Sequence, residues 1–331
     1  TTTEQYGFSI GIDSSDNIYV LGGGMNNTAG FLLKYNSSGT IQWQKTLSNL
    51  DSSGKHPKMF VSSSGTCYIC GSQLSTYYKT LLFTVDSSGT LGTTKLLSLT
   101  PTQLCGNSIV VDTSGNIYIT SVDYNNLNSY LIKLDSTFAI TWQKILNVND
   151  ARIAVTSAGN IYLTGTISSA GFLMKFNSSG TSQWQSKIGT ANFNASGQSP
   201  NLIIDPSENI YIVSDVQGAG GGAGGVDWFI AKYNSSGTVQ WRRTWGNSLN
   251  SNNPGGIVYS TSGPSLYIAG TGIDSGTSTD IQILKIPADG TLTATYGNYI
   301  YQSNALAIST PAATISNSTI TIASGTITLG T

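Results

Sequence analysis

Charge is scarce in this chain. Asp, Glu, Lys and Arg make up 9% of its 331 residues, against about 25% in ordinary soluble domains. The surface must be built from Ser, Thr, Asn, Gln and Gly, uncharged but well hydrated, as in many extracellular and virion proteins. There are three arginines, Arg152, Arg242 and Arg243, and the net charge is −1. No basic stripe exists to neutralise phosphates, so nucleic acid is excluded as an expected partner. No run of 18 apolar residues occurs, so no membrane span is expected. No signal peptide is legible, and a start at Thr1 without methionine reads as a processed terminus or as a piece of a longer chain.

Imidazole and thiol are nearly absent too. His56 is the sole histidine, and the cysteines are Cys67, Cys70 and Cys105. Cys67 and Cys70 share a C-x-x-C spacing but fall on a strand, where side chains three apart face opposite ways. Their Cα atoms would be about 10 Å apart, too far for a disulfide. Cys67 stands where other repeats have Ile18, Ile117 and Ile161, so small buried hydrophobes are expected. No G-x-S-x-G elbow or H-E-x-x-H is present, and no catalytic residue, metal or cofactor is expected.

What the chain does have is a repeat. A tyrosine sits inside an apolar strand at Tyr19, Tyr68, Tyr118, Tyr162, Tyr211 and Tyr267, at spacings of 49, 50, 44, 49 and 56 residues. A turn follows the next strand, NSSG at Asn36, Asn177 and Asn234, with variants at Asp86, Asp135 and Pro287. Trp43, Trp142, Trp184 and Trp241 mark the strand after that turn. Each unit reads as four strands, A to D, rich in Val, Ile, Tyr and Thr, with turns of Asn, Ser and Gly. No stretch shows helical periodicity.

Four strands per unit and a period of 40–55 residues point to an all-β fold, a β-propeller of four-stranded antiparallel blades. One propeller domain over 1–331 is expected. Residues 8–297 form six repeats, and 298–331 an incomplete seventh blade. Asn304–Ser309 would be its strand A, and Ser318–Ala323 with Thr326–Gly330 a hairpin. Residues 1–7, chiefly Thr2–Gly7, would supply its fourth strand and close the ring. Pairing of the Thr/Ile tail with another subunit is the less favoured alternative, and it leaves room for a homo-oligomer.

With these marks in place, the chain resembles the bacterial β-propeller repeat family known as SBBP repeats. The match rests on DTSGNIYIT at Asp112–Thr120, GFLLKYNSSGTIQWQKTL at Gly30–Leu47, GFLMKFNSSGTSQWQ at Gly171–Gln185 and FIAKYNSSGTVQWRRTWG at Phe229–Gly246. It covers nearly the whole chain. Such repeats belong to secreted and cell-surface bacterial proteins and to virion structural proteins of tailed phages, the group this chain looks most like. The resemblance implies a virion or extracellular surface location, a tail-fibre or adhesin role in host recognition, and other virion or surface proteins as partners.

In an antiparallel blade the A–B and C–D turns share one face, and the B–C and D–A loops share the other. Sequence variation is confined to the second face, where binding is expected. The candidate ligand contacts there are Tyr77, Tyr78, Tyr124, Phe193, Asp215, Asp227 and Trp228, with Ser214–Asp227 contributing most. Aromatic rings beside Asp and Asn suit a cell-surface glycan or a protein partner. A non-enzymatic structural or adhesion protein is the favoured function. The alternative is a secreted lyase or glycosidase using loop-face carboxylates. The glycine run Gly218–Gly225 reads as a loop tip and not a phosphate loop. Asp13, Asp112 and Asp205 read as turn caps in preference to calcium ligands. The lysines Lys34, Lys133, Lys175, Lys232 and Lys285 read as blade packing, paired with a turn carboxylate.

Overall fold

The computed structural model describes the chain except residues 1–4, 25–29, 52–55, 74–76, 100–102, 190–192, 194–199, 218–224, 248–252, 274–279, 292–293, 297–298, 304–307, 310–314, 318–320, 325–327 and 331. Every described element is a β-strand. The first sheet holds β1 (Gln5–Ile12), β2 (Ile18–Gly24), β3 (Gly30–Tyr35) and β4 (Ile41–Ser48). The second holds β5 (Lys58–Val61), β6 (Cys67–Gln73), β7 (Lys79–Val85) and β8 (Leu91–Ser98). The third holds β9 (Leu104–Val111), β10 (Ile117–Asp123), β11 (Ser129–Leu134) and β12 (Ile140–Leu146). The fourth holds β13 (Asn149–Val155), β14 (Ile161–Ile167), β15 (Ala170–Phe176) and β16 (Ser182–Ile188). The fifth holds β17 (Asn201–Ile204), β18 (Ile210–Gln217), β19 (Val226–Tyr233) and β20 (Val239–Gly246). The sixth has β21 (Asn253–Ser260), β22 (Ser265–Gly272) and β23 (Asp280–Pro287). The sheets are antiparallel blades of a β-propeller, as the repeat predicts, and they are six.

Among the described residues the expected seventh blade does not form. Beyond the sixth sheet come β24 (Ala294–Tyr296), β25 (Tyr299–Ser303), β26 (Ile308–Ser309), β27 (Ile315–Asn317), β28 (Thr321–Ser324) and β29 (Thr328–Gly330). Each of the last five pairs antiparallel with the fourth strand of an earlier blade. β25 joins β20, β26 joins β16, β27 joins β12, β28 joins β8 and β29 joins β4. β28 and β29 therefore do not form the expected hairpin with each other. β24 pairs with β25 and not with β23, so the sixth blade lacks a described fourth strand. At the other end, Gln5–Gly7 belong to β1, the first strand of blade one. Residues 1–4, 304–307, 318–320 and 325–327, which complete the expected seventh blade, lie outside the described residues, as does most of the glycine run at 218–224. The physical reason for the difference is that an alternating Thr/Ile strand satisfies any bare antiparallel edge, and the fourth strands of the blades offer such edges.

The chain divides into two compact units, Thr1–Ile153 with Thr314–Thr331, and Ala154–Ala313. Within each unit the first strands of neighbouring sheets adjoin, β1 with β5 and β5 with β9 in one, β17 with β21 in the other. The first-strand side is thus the inner side of a unit. The cores lie between blades. In the first unit Tyr19, Leu32 and Leu47 pack on Ile69, Phe83 and Val85, and Cys70 and Leu82 pack on Ile117 and Ile132. In the second, Tyr162 and Leu173 pack on Ile212 and Phe229, and Tyr211, Trp228 and Ile230 pack on Leu266, Ile268 and Ile286. Cys67 and Cys70 fall in different cores on opposite faces of β6, and all three cysteines are buried thiols outside any disulfide.

The repeated residues build each blade and fasten it to the next. Asp112 Oδ1 accepts the backbone N–H groups of Ser114 and Asn116, both at 2.9 Å. Its Oδ2 accepts Asn116 Nδ2 at 2.8 Å and the Tyr118 hydroxyl at 3.1 Å. Asp13 with Tyr19 and Asp205 with Tyr211 repeat this. These oxygens are occupied by protein donors, which accounts for the aspartates as turn caps. In blade four Thr156 replaces the aspartate, and Glu208 of blade five reaches Asn160 and Tyr162 instead.

The NSSG turns work alike. Asn177 Oδ1 accepts the N–H of Ser179 and Thr181, and Gly180 takes φ 77°, a region glycine enters without a Cβ clash. The carbonyl of the second turn residue then receives the preceding blade. Trp43 Nε1 and Lys34 Nζ both donate to Ser87, at 3.1 and 2.9 Å. Trp184 and Lys175 both donate to Ser235, and Trp241 donates to Ala288. Each of Lys34, Lys175 and Lys232 also sits 5.2–5.3 Å above the blade's tyrosine ring. The lysines are thus packing residues as expected, with a ring and a carbonyl among their partners. Lys175 adds a carboxylate, Glu208 at 3.9 Å, and Lys232 lies within electrostatic reach of the turn carboxylate Asp289.

Burial pushes the Asp112 pKa up, but the hydrogen bonds from Asn116, Tyr118 and Ser114 outweigh it and hold the pKa below 3.8. A folded pKa below the unfolded one gives stability that is complete above the unfolded pKa and is lost as pH falls through the folded one. Asp112→Ala is expected to cost about 1–2 kcal/mol at neutral pH. Urea melts of the variant and the parent should converge at strongly acidic pH.

Candidate binding surface and inner-strand cations

The variable loops of the first unit bring three of the seven candidate residues together. Tyr78 precedes β7, and its carbonyl accepts the N–H of Leu104 at 3.0 Å. The N–H of Tyr124 donates to the Gln103 carbonyl at 3.1 Å. These bonds tie the β6–β7 and β10–β11 loops to the start of β9. The Tyr78 and Tyr124 rings stand 6.2 Å apart at 36°. Tyr77 is 40% exposed, Tyr124 37% and Leu127 56%.

The loop carrying Tyr124 and Leu127 is built around Asp123. Asp123 is buried, with Oδ1 on the N–H of Asn125 and Oδ2 on Asn126 Nδ2. Its backbone N–H donates to Asn128, and its carbonyl accepts from Leu127, which takes φ 54°. Burial, followed by the proximity of Cys105, Asp150, Tyr78 and Asp51, pushes the Tyr124 pKa up. The phenol stays protonated and can donate a hydrogen bond. The result is an aromatic and apolar shelf in a chain poor in charge.

The other four candidates lie in the interior of the second unit. Phe193 bridges to Val216 and packs edge-on to Phe229, with centroids 5.5 Å apart. Asp215 lies opposite Trp228 across β18 and β19, and Asp227 lies opposite Val216. All four are at most 2% exposed. β18 and β19 extend to Gln217 and Val226, so these residues sit in the sheet and not in the loop beyond it. Within the Ser214–Asp227 segment Gln217 is exposed and Gly225 and Val226 are half-buried, while 218–224 lie outside the described residues. Asp274, another loop carboxylate, lies outside the described residues.

Two residues that sequence reasoning did not single out stand on the inner side of the first unit. Lys58 opens β5 and donates to the Phe8 carbonyl at 3.1 Å. Arg152, in β13, donates from Nη1 to the Asn107 carbonyl at 2.9 Å. Burial, then the Arg152 charge, pulls the Lys58 pKa from 10.5 to about 7. Burial lowers Arg152 to about 10, and Asp150 opposes that shift. The sequence signal was present: a charge inside an otherwise apolar first strand, in a chain with three arginines.

The Lys58 shift makes a pH prediction. Between pH 7 and 10.5 the unfolded chain holds the lysine proton and the folded chain has released it. Stability must therefore rise with pH across that window. Lys58→Met is expected to flatten that part of the profile and to gain most in stability below about pH 7. Denaturant midpoints of both chains at pH 6 to 9 check it.

No family model matches this chain, and no curated protein does. Solved structures do. Selenomethionine-substituted virginiamycin B lyase from Staphylococcus aureus is similar over 91% of this chain and 98% of its own, with a TM-score of 0.53 at 11% identity. A protein of unknown function from Dyadobacter fermentans matches over 91% and 96%, with a TM-score of 0.52 at 11% identity. An exo-β-1,3-galactanase from Phanerochaete chrysosporium has a TM-score of 0.43 at 13% identity, over 96% and 92%. Likeness at such identity concerns the fold alone. Among the described residues no group of three or more His, Cys, Asp or Glu is placed to hold a metal ion, and no helix is long and apolar enough to cross a membrane.

Proposed function

We propose that this chain is a non-enzymatic binding and structural module of a virion or extracellular surface, contacting a cell-surface glycan or a partner protein through its variable loops. The observation that carries the reading is the half-exposed shelf of Tyr77, Tyr78 and Tyr124 with Leu127, held by backbone hydrogen bonds between two loops and β9. Aromatic side chains with an apolar body and a polar tip suit sugar rings and protein interfaces alike. The low charge and the resemblance to SBBP repeats of secreted and phage structural proteins support the location. The glycosidase or lyase reading has less support, because the loop carboxylates Asp123, Asp215 and Asp227 are buried in the sheet or its turns.

The test is a glycan array together with a host-cell binding assay, using the parent chain and the double variant Tyr78→Ala, Tyr124→Ala. Loss of an aromatic anchor costs about 2 kcal/mol, roughly 30-fold in affinity. The expected result is binding weakened by at least that factor with the melting temperature little changed. Binding that survives the double variant rejects the shelf. Turnover of a surface polysaccharide by the parent chain rejects the non-enzymatic reading.

A further inference from the structure

The first strands of three blades carry a bulge. Phe8, Asn107 and Gly255 are the extra residues, because their neighbours Gly7 and Ser9, Gly106 and Ser108, and Pro254 and Gly256 pair with consecutive residues of the next strand. A bulge withdraws a residue from the ladder. In each case its carbonyl takes a side chain from the first strand of another blade: Lys58 on Phe8, Arg152 on Asn107, and Asn201 Nδ2 on Gly255 at 3.0 Å. The Asn201 bond is decisive. A neutral amide makes the same latch, so latching does not account for the charges of Lys58 and Arg152.

Those charges are costly. Lys58 pairs with Cys70 across β5 and β6, and the Cys70 sulfur lies against Gly106, next to the Asn107 whose carbonyl Arg152 holds. Both cations thus stand on strands beside β9, and burial weakens the hydration of both. Arg152 Nε is buried with no hydrogen-bond partner among the described residues. A lysine ammonium has three donors and a guanidinium five, so most of this capacity is left over after the latches. An oxyanion between the two groups would relieve the repulsion and satisfy the Nε–H.

We propose that Lys58 and Arg152 form a site on the inner side of the first unit for the carboxylate of a sugar acid, of the uronic acid class. The planar guanidinium fork matches a carboxylate. Asp150 beside Arg152 offsets one of the two positive charges, which favours a monoanion over a dianionic phosphate. Next to the Lys58 latch, the Phe8 and His56 rings stack with centroids 4.6 Å apart at 11°. His56 is exposed, so the stack offers a flat face on which a sugar ring can lie. This site uses none of the loop-shelf residues, so it stands or falls separately from the proposed function.

The experiment is calorimetric titration of the whole chain at about pH 6 and fixed ionic strength, with glucuronate, galacturonate, glucose, acetate and inorganic phosphate. Saturable uronate binding is expected, weakened at least tenfold in Lys58→Gln and in Arg152→Gln. Glutamine keeps an amide donor for the latch, as Asn201 does, and thermal melts of the variants verify that they fold. The proposal is overturned if no uronate binds the folded chain, or if both glutamine variants bind as well as the parent. Acetate or phosphate equalling the uronates would overturn the sugar assignment, and glucose equalling them would overturn the role of charge.

Discussion

Trp228→Ala is expected to destabilise the chain by about 3–5 kcal/mol, the range for removing a large aromatic from a packed core. Trp228 is fully buried at the start of β19, in the core formed with Ile257, Ile268 and Leu284. Its indole lies so close to Gly270 that a Cβ there would collide with it. Glycine at 270 and tryptophan at 228 are thus complementary in shape, and truncating one leaves a cavity that the blade cannot close. Chemical denaturation measures the loss. The contrast with Tyr124→Ala is informative, since a surface aromatic should leave the midpoint nearly unchanged. If Trp228→Ala unfolds at the same denaturant concentration as the parent, the residue is not core and the sequence reading of it as a ligand contact regains its place.

Ending the chain after Ser303 is expected to cost on the order of 5 kcal/mol, at about 1 kcal/mol for each net backbone hydrogen bond lost. The truncation removes β26 to β29 and uncovers the outer edges of β16, β12, β8 and β4. Bare edges with few charges template intermolecular pairing, so light scattering should rise along with the fall in melting temperature. A point variant offers a gentler version. Ile322→Pro removes an N–H from the strand that pairs with Leu97, without shortening the chain. A truncated chain that melts and scatters like the parent would show that these strands do not hold the blades.

The blade was legible because its determinants are local. Asp112, Asn116 and Tyr118 lie within seven residues of one another, and Asn177 caps its own turn. The sequence carries such contacts in its spacing. Blade number was not legible for the opposite reason. An alternating strand such as Thr328–Gly330 announces that it will pair, but nothing local names β4 as the partner. The same limit governs the site. Tyr77 and Tyr124 fall in loops by sequence and are exposed, while Asp215 and Trp228 fall at loop ends and are buried, because β18 runs four residues and β19 two residues further than the apolar pattern alone implied. Lys58 and Arg152 were visible as odd residues in apolar strands. Their proximity depends on two different blades and two bulges.

The pairing of β29 with β4 has a consequence for how the molecule is made. Gly330 meets Thr46, so the contact joins residues from nearly opposite ends of the sequence. Such contacts form late, because long loops must be closed before they are rewarded. During synthesis the blades emerge in order, yet the strands that finish blades one to three emerge only after the sixth sheet has been made. Folding should therefore end in a slow phase in which the outer strands are laid down blade by blade. A refolding experiment would find that phase missing from the chain ended after Ser303 and the faster blade-forming phases retained.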